Sequence, residues 1–290
     1  MLVATVLAVT GWMLLAARVG ADRSFRIVRR LDALEGRAPL VVRVCLGLTL
    51  GMAALGLSPR HGTHLLEAPS LAFPDLELRL LGGGWDGLAL VELGLAAAFL
   101  LGVHVRTAAF LVLVLTAMGL QLFGTAMLAY AGALAGAAAY LLLRDAEPLA
   151  LVGGKQARPT RDGRERALLV VRLLTGATLL YCGIYYKFLQ PNLAVAVVAT
   201  GGLPTFGLGP EAFVFGMALV ETCAGALMMA GVLVRPLALA LLGPFLLLSA
   251  ALGENPLGHA LFYGNLFALA TGGAGIWSGL PRPGVVPRHT

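Results

Sequence analysis

The sequence predicts an all-helical, multi-pass membrane protein with about nine transmembrane helices: two parallel repeats of a four-helix bundle and one helix ahead of them. Three observations predict this. Hydrophobic residues make up 59% of the chain and charged residues 12%, with a mean hydropathy of +0.87; a soluble domain has about 45–50% apolar and about 25% charged residues. Apolar runs long enough for a crossing of about 20 residues recur along the chain. Arginine and glutamate positions inside those runs repeat at a fixed spacing.

Nine apolar segments can be drawn, at about 1–18, 39–57, 85–103, 107–124, 126–143, 167–187, 212–232, 236–252 and 257–278. Segment one has no basic residue ahead of it and a basic stretch after it, "RSFRIVRRLDALEGR". That order fits a retained anchor whose C-terminal flank is cytoplasmic, rather than a leader cleaved after "VGA" at 19–21. Residues 1–38 are therefore expected to form an N-terminal helix and a basic cytoplasmic segment. Residues 39–143 are the first repeat, 144–166 a cytoplasmic linker, and 167–290 the second repeat with a short cytoplasmic tail. The hinges "FGTAM" and "LGENPLG" are short and rich in small residues, and read as tight hairpins.

Orientation follows from the connections. Numbered alternately, one side holds 18 of the 21 basic residues; the other holds Arg60, Arg79 and Lys187. The first side is cytoplasmic by the positive-inside rule, so the N-terminus starts outside and the C-terminus ends inside. The net charge of +6 belongs to this asymmetry and not to nucleic-acid binding. Cys45, Cys182 and Cys223 lie in apolar runs and form no CxxC, zinc or haem motif. His61 and His64 in the outer loop 58–84 lack further ligands, and "GGG" at 82–84 follows no strand, so neither marks a metal or phosphate site. The outer connection 188–211 is unusually apolar and is expected to lie on or dip into the membrane over a polar recess.

The repeat is exact at its polar positions. Arg43 to Glu92 is 49 residues, as is Arg172 to Glu221; Glu92 to Arg106 is 14, as is Glu221 to Arg235. A shift of 129 also maps Leu90, Val91, Gly102, Val103 and Val105 onto Leu219, Val220, Gly231, Val232 and Val234. Four helices are an even number, so both copies cross in the same direction, unlike the inverted repeats of many transporters. Arg106 and Arg235 sit at cytoplasmic ends, where they snorkel as topology anchors; with Arg43, Arg172 and Glu92 they form a structural polar set. A glutamate inside an apolar helix costs at least about 2.5 kcal/mol if charged and unpartnered. Each must be neutral or meet a partner or water.

The copies differ elsewhere. Near Glu221 the second copy offers Tyr181, Tyr185, Tyr186 and Lys187, and its last segment offers His259, Tyr263 and Asn265. Shifted back by 129, Tyr181 becomes Met52, Tyr185 Gly56, Lys187 Ser58, His259 Tyr130, Tyr263 Leu134 and Asn265 Gly136. The second copy is therefore expected to line a polar pocket, with Glu221 and His259 as proton-transfer groups and Tyr181, Tyr185, Lys187, Tyr263 and Asn265 as ligand-binding residues. A carboxyl, a histidine and tyrosines at a lipid–water boundary suit proton-coupled work on a quinone headgroup. The same residues also suit a hydrogen-bonded brace between helices, and Lys187 with the tyrosines also suits an interfacial belt.

The segments "VVRLLTGATLLYCGIYYKFLQP", "LVETCAGALMMAGVLVRPLALAL" and "GHALFYGNLFAL" resemble the DoxX/DoxD family of small bacterial membrane proteins. The likeness covers about 167–278, and 39–143 faintly through the repeat. A typical member is one four-helix unit, whereas this chain carries two and an additional helix. The resemblance implies a bacterial plasma-membrane protein linked to quinone-dependent oxidation of thiosulfate or thiols, working with a protein partner. Glu221 would relay protons, Tyr181, His259 and Asn265 would bind the headgroup, and Lys187 would attract an anion. No haem, flavin or metal ligand set is evident. Two other classes stay open: a non-catalytic scaffold subunit of a larger membrane complex, and a small-solute carrier. Against the carrier, Gly and Pro interruptions do not match between the copies.

Overall fold

The computed structural model describes residues 26–55, 57, 86–144, 160–200, 205–251 and 256–276. Segment one, the loop with His61 and His64, the glycines 82–84, most of the linker and the tail lie outside the described residues. Among the described residues the chain is helical throughout, with no strand.

Ten α-helices follow in order: α1 Arg26–Leu34, α2 Ala38–Leu55, α3 Asp86–Leu101, α4 Val105–Phe123, α5 Leu128–Leu143, α6 Arg161–Tyr181, α7 Pro191–Thr200, α8 Pro210–Ala230, α9 Val234–Ala251 and α10 Ala260–Gly272. Helix α6 continues as a π-helix over Cys182–Leu189. Three stretches are long and apolar enough to cross a membrane: Arg29–Leu55, Arg161–Leu189 and Pro210–Ala230; Ala89–Leu101, Val105–Gln121, Leu128–Leu143 and Val234–Gly243 are shorter apolar helices.

The helix starts differ from the expected segments in two places, each for a local reason. The basic stretch after segment one folds as the amphipathic α1. The last residues of the expected linker already belong to α6, because Thr160 caps the helix by accepting from the Gly163 N–H at 3.2 Å, and Arg161 pairs with Glu165 one turn on.

Positions 129 apart carry the same turn geometry. Gly102 and Gly231 end α3 and α8 with φ of 73° each, and His104 and Leu233 follow at 49° and 55°. The Val103 N–H donates to Ala98 O and the Val232 N–H to Leu227 O, both at 2.9 Å. This six-residue closure satisfies the last carbonyls of a helix and needs a left-handed residue, which glycine supplies without strain.

The packing crosses between the two halves. Helix α2 packs on α3 and α6 on α8; α4 packs on α5 and α9 on α10. In addition α5 packs extensively on α6, and α10 on α2. The last helix of each half thus lies against the first helix of the other. A Cβ on Gly136 of α5 would meet Leu174 Cβ at 3.3 Å and Val171 Cα at 3.5 Å; one on Gly264 of α10 would meet Cys45 Cβ at 2.9 Å and Val42 Cα at 3.2 Å. Val171 and Leu174 are Val42 and Cys45 shifted by 129, but Gly264 is Gly136 shifted by 128. The last helix is therefore displaced by one residue. Its true counterparts are Ala131 for His259, Ala135 for Tyr263 and Ala137 for Asn265, instead of the residues that a uniform shift of 129 gives.

Candidate functional site

Glu221 sits 221 − 210 = 11 residues beyond the first residue of α8, which is about 16 Å along a helix at 1.5 Å per residue. It is near the middle of a potential membrane span. It is not alone there. Lys187 Nζ donates to Glu221 Oε2 at 2.7 Å, and the two side chains are 15% and 18% exposed. The pair removes the cost that an isolated carboxylate would carry in an apolar helix.

Glycine brings the two helices close enough for this contact. A Cβ on Gly225 would lie 2.6 Å from Gly176 O and 2.8 Å from Leu180 N; one on Gly183 would lie 2.6 Å from Thr222 Oγ1 and 2.9 Å from Thr222 N. Small residues at such crossings let backbones approach, as membrane helices require. Lys187 is one residue turn above Gly183 on the same segment, within the π-helix Cys182–Leu189. Such i→i+5 turns are rare and concentrate at functional sites.

Three tyrosines of the same segment, close to Lys187 in sequence, pack on one another. Tyr181 and Tyr185 stack with centroids 5.1 Å apart, and Tyr186 stands edge-on to them at 5.6 and 5.0 Å. Tyr181 donates to Thr125 O at 2.8 Å, and Gln190 Nε2 donates to Tyr185 Oη at 3.1 Å.

The other expected site residues lie elsewhere. Asn265 is 0% exposed at the junction of α5, α6 and α10. Its Nδ2 donates to Ala133 O at 2.9 Å and to Thr175 Oγ1 at 3.2 Å. The side-chain amide braces three helices, which is the alternative that the sequence left open. His259 ends a 3-10 turn packed on α2, α9 and α10. Its ring neighbours are Phe245 at 5.4 Å and Tyr263 at 6.4 Å. The expected single pocket is thus three places: the Lys187–Glu221 pair with the tyrosines, the Asn265 brace, and an aromatic group around His259. The division follows from the packing, since α10 is committed along its length to α2 rather than to α8.

The arginines expected to be structural are placed as follows. Arg172, 2% exposed, donates to Ala274 O at 2.7 Å. Arg235 donates to Thr271 O at 3.0 Å and pairs with Asp32 at 2.5 Å. The guanidinium of the buried Arg43 lies over Gly102, where a Cβ would collide with it. Arg106 is exposed at the start of α4. Two acidic residues went unnoticed in the sequence. Glu35 pairs with Arg164 and Arg144, and Asp32 with Arg235; both sit in a basic stretch where each reads as a lone counter-charge.

Among the described residues no three His, Cys, Asp or Glu side chains gather as a metal site. No protein-family model, curated protein or solved structure matches the chain.

Proposed function

We propose that the chain is a DoxX/DoxD-like protein of the bacterial plasma membrane, with nine crossings, two tandem four-helix repeats, an external N-terminus and a cytoplasmic C-terminus. In this reading it is the membrane subunit of a quinone-linked oxidation of thiosulfate or thiols, with electrons delivered by a partner or by the substrate. The observation that carries it is the Lys187–Glu221 pair: two exchangeable, partly exposed groups that join the end of the Arg161–Leu189 stretch to the middle of Pro210–Ala230, with three mutually packed tyrosines on the Lys187 segment.

A quinone headgroup gains protons as it is reduced, and needs hydrogen-bond donors at its carbonyl oxygens. Lys187 spends one of its three donors on Glu221 and keeps two. Tyr185 accepts from Gln190 and keeps its own O–H to donate. Glu221, held by Lys187, accepts a proton from the medium and passes it on. Asn265 leaves the ligand set, because its amide is spent on Ala133 and Thr175. Tyr181 contributes its ring, since its hydroxyl is spent on Thr125.

The second reading is a non-catalytic scaffold. It is favoured by a separate observation: Tyr181, Cys182 and Asn265 donate to the carbonyls of Thr125, Ala129 and Ala133, spaced four residues apart along one side of the α5 region. Glu221→Gln separates the readings. Membranes carrying it should form no quinol from thiosulfate or thiol donors while protein abundance stays at the wild-type level. Lost abundance with normal turnover per molecule supports the scaffold, and unchanged abundance and turnover refute the role given to Glu221.

A further inference from the structure

We infer that the arginine-rich end of the bundle is a binding surface for the phosphodiester headgroup of anionic phospholipids. This is independent of the redox reading. Two potential spans, Arg29–Leu55 and Arg161–Leu189, begin at this end with an arginine, so the surface stands where headgroups lie. Three of the carboxylates there are already engaged from within: Asp32 by Arg235, Glu35 by Arg164 and Arg144, and Glu165 by Arg161. Arg29, Arg30, Arg37 and Arg166 are exposed and pair with none of them.

The fold brings the stretches that carry these four to one end of the bundle. Glu35 is bonded to Arg164, which places the segment with Arg37 beside the start of α6 with Arg166. Helix α1 carries Arg29 and Arg30, packs on α10 and is pinned by the Asp32–Arg235 pair. It is short and amphipathic, with a basic sequence at the start of the Arg29–Leu55 stretch, where arginines reach headgroups at the end of a span. With Asp32, Glu35 and Glu165 paired internally, Asp162 is the one exposed carboxylate among the described residues here that no ion pair engages, set against four exposed arginines; the surface is net positive, and arginine forks match phosphate oxygens in geometry.

The test uses the full chain in mild detergent, titrated with phosphatidylglycerol or phosphatidylcholine and read by native mass spectrometry. Phosphatidylglycerol should bind at least about 25-fold more tightly, because each arginine near the surface contributes about fivefold. The variant Arg29→Gln/Arg30→Gln/Arg37→Gln/Arg166→Gln should lose that preference and keep its melting temperature in phosphatidylcholine. If the fourfold variant fails to fold, Arg29→Gln/Arg30→Gln on α1 alone should weaken phosphatidylglycerol by about 25-fold, and Arg29→Lys/Arg30→Lys should restore most of it. Equal binding of the two lipids by the wild type overturns the inference. So does a preference that survives the substitutions, or inorganic phosphate that displaces the lipid at equal concentration.

Discussion

Glu92 and Glu221 stand 129 residues apart in the same sequence frame and meet different surroundings. Glu92 is 2% exposed within the first half, while Glu221 is 18% exposed and holds Lys187. The residues that set the helix spacing differ in the same direction. Where the second half has Gly176, Gly183 and Gly225, the first has Gly47, Ala54 and Ala96. A Cβ on Gly47 would stand 3.1 Å from Ala96 O, and one on its counterpart Gly176 would stand 2.9 Å from Gly225 O and 2.7 Å from Met229 Cγ. Both halves are tightly packed here, the second slightly more so. The second is also extended by a π-helix over Cys182–Leu189 and places Glu221 against Lys187. In the first half, alanine in place of Gly183 and Gly225, and serine in place of Lys187, are sequence differences that accompany the contrast.

Giving the second half the residues of the first is the strongest way to break this contrast. Gly183→Ala/Gly225→Ala forces methyl groups into backbone atoms, and overpacking of this kind costs about 1–3 kcal/mol per site. The double variant should lose about 3 kcal/mol, read as a lower melting temperature in detergent, and should separate Lys187 from Glu221. Unchanged melting would mean that the helices are not held as closely as described.

The next largest effect sharpens the role of the pair. Lys187→Met leaves a partly buried carboxylate without its cation. Breaking a fully buried pair costs about 3–5 kcal/mol; with both groups partly exposed, about 2 kcal/mol is expected. Lys187→Met/Glu221→Leu should recover most of that loss, because an apolar pair removes the stranded charge, yet should remain inactive. Recovery of activity with stability would show that the pair only holds helices together. The smallest effect concerns what joins the halves. Asn265→Ala removes two donor contacts at the α5–α6–α10 junction and should cost about 1 kcal/mol, with quinone turnover per folded molecule unchanged. A turnover defect without a stability defect would return Asn265 to the site.

Much of the class of the fold could be read from the chain. Apolar runs marked most of the described helices to within a few residues, although α7 falls within what read as an outer connection, 188–211. Lys187 and Glu221 could be named from the sequence, but their contact could not. They are 34 residues apart on different helices, and Lys187 by itself reads as an interfacial lysine. Only the glycine-mediated approach of α6 and α8 joins them. The separate placement of His259 and Asn265 was hidden for a related reason. Their depth along the chain matches that of Glu221, but depth does not say which neighbour a helix chooses, and α10 lies against α2. Glu35 and Asp32 were hidden by distance, since their partners lie 129 and 203 residues downstream.

That choice of neighbours has a consequence for the order in which contacts can form. Helix α2 ends at Leu55 and the helix it leans on, α10, begins only at Ala260. Until Ala260–Gly272 has been made, the Val42 and Cys45 surface of α2 stays without the helix that covers it. A chain truncated before Ala260 would leave α2 without that mate.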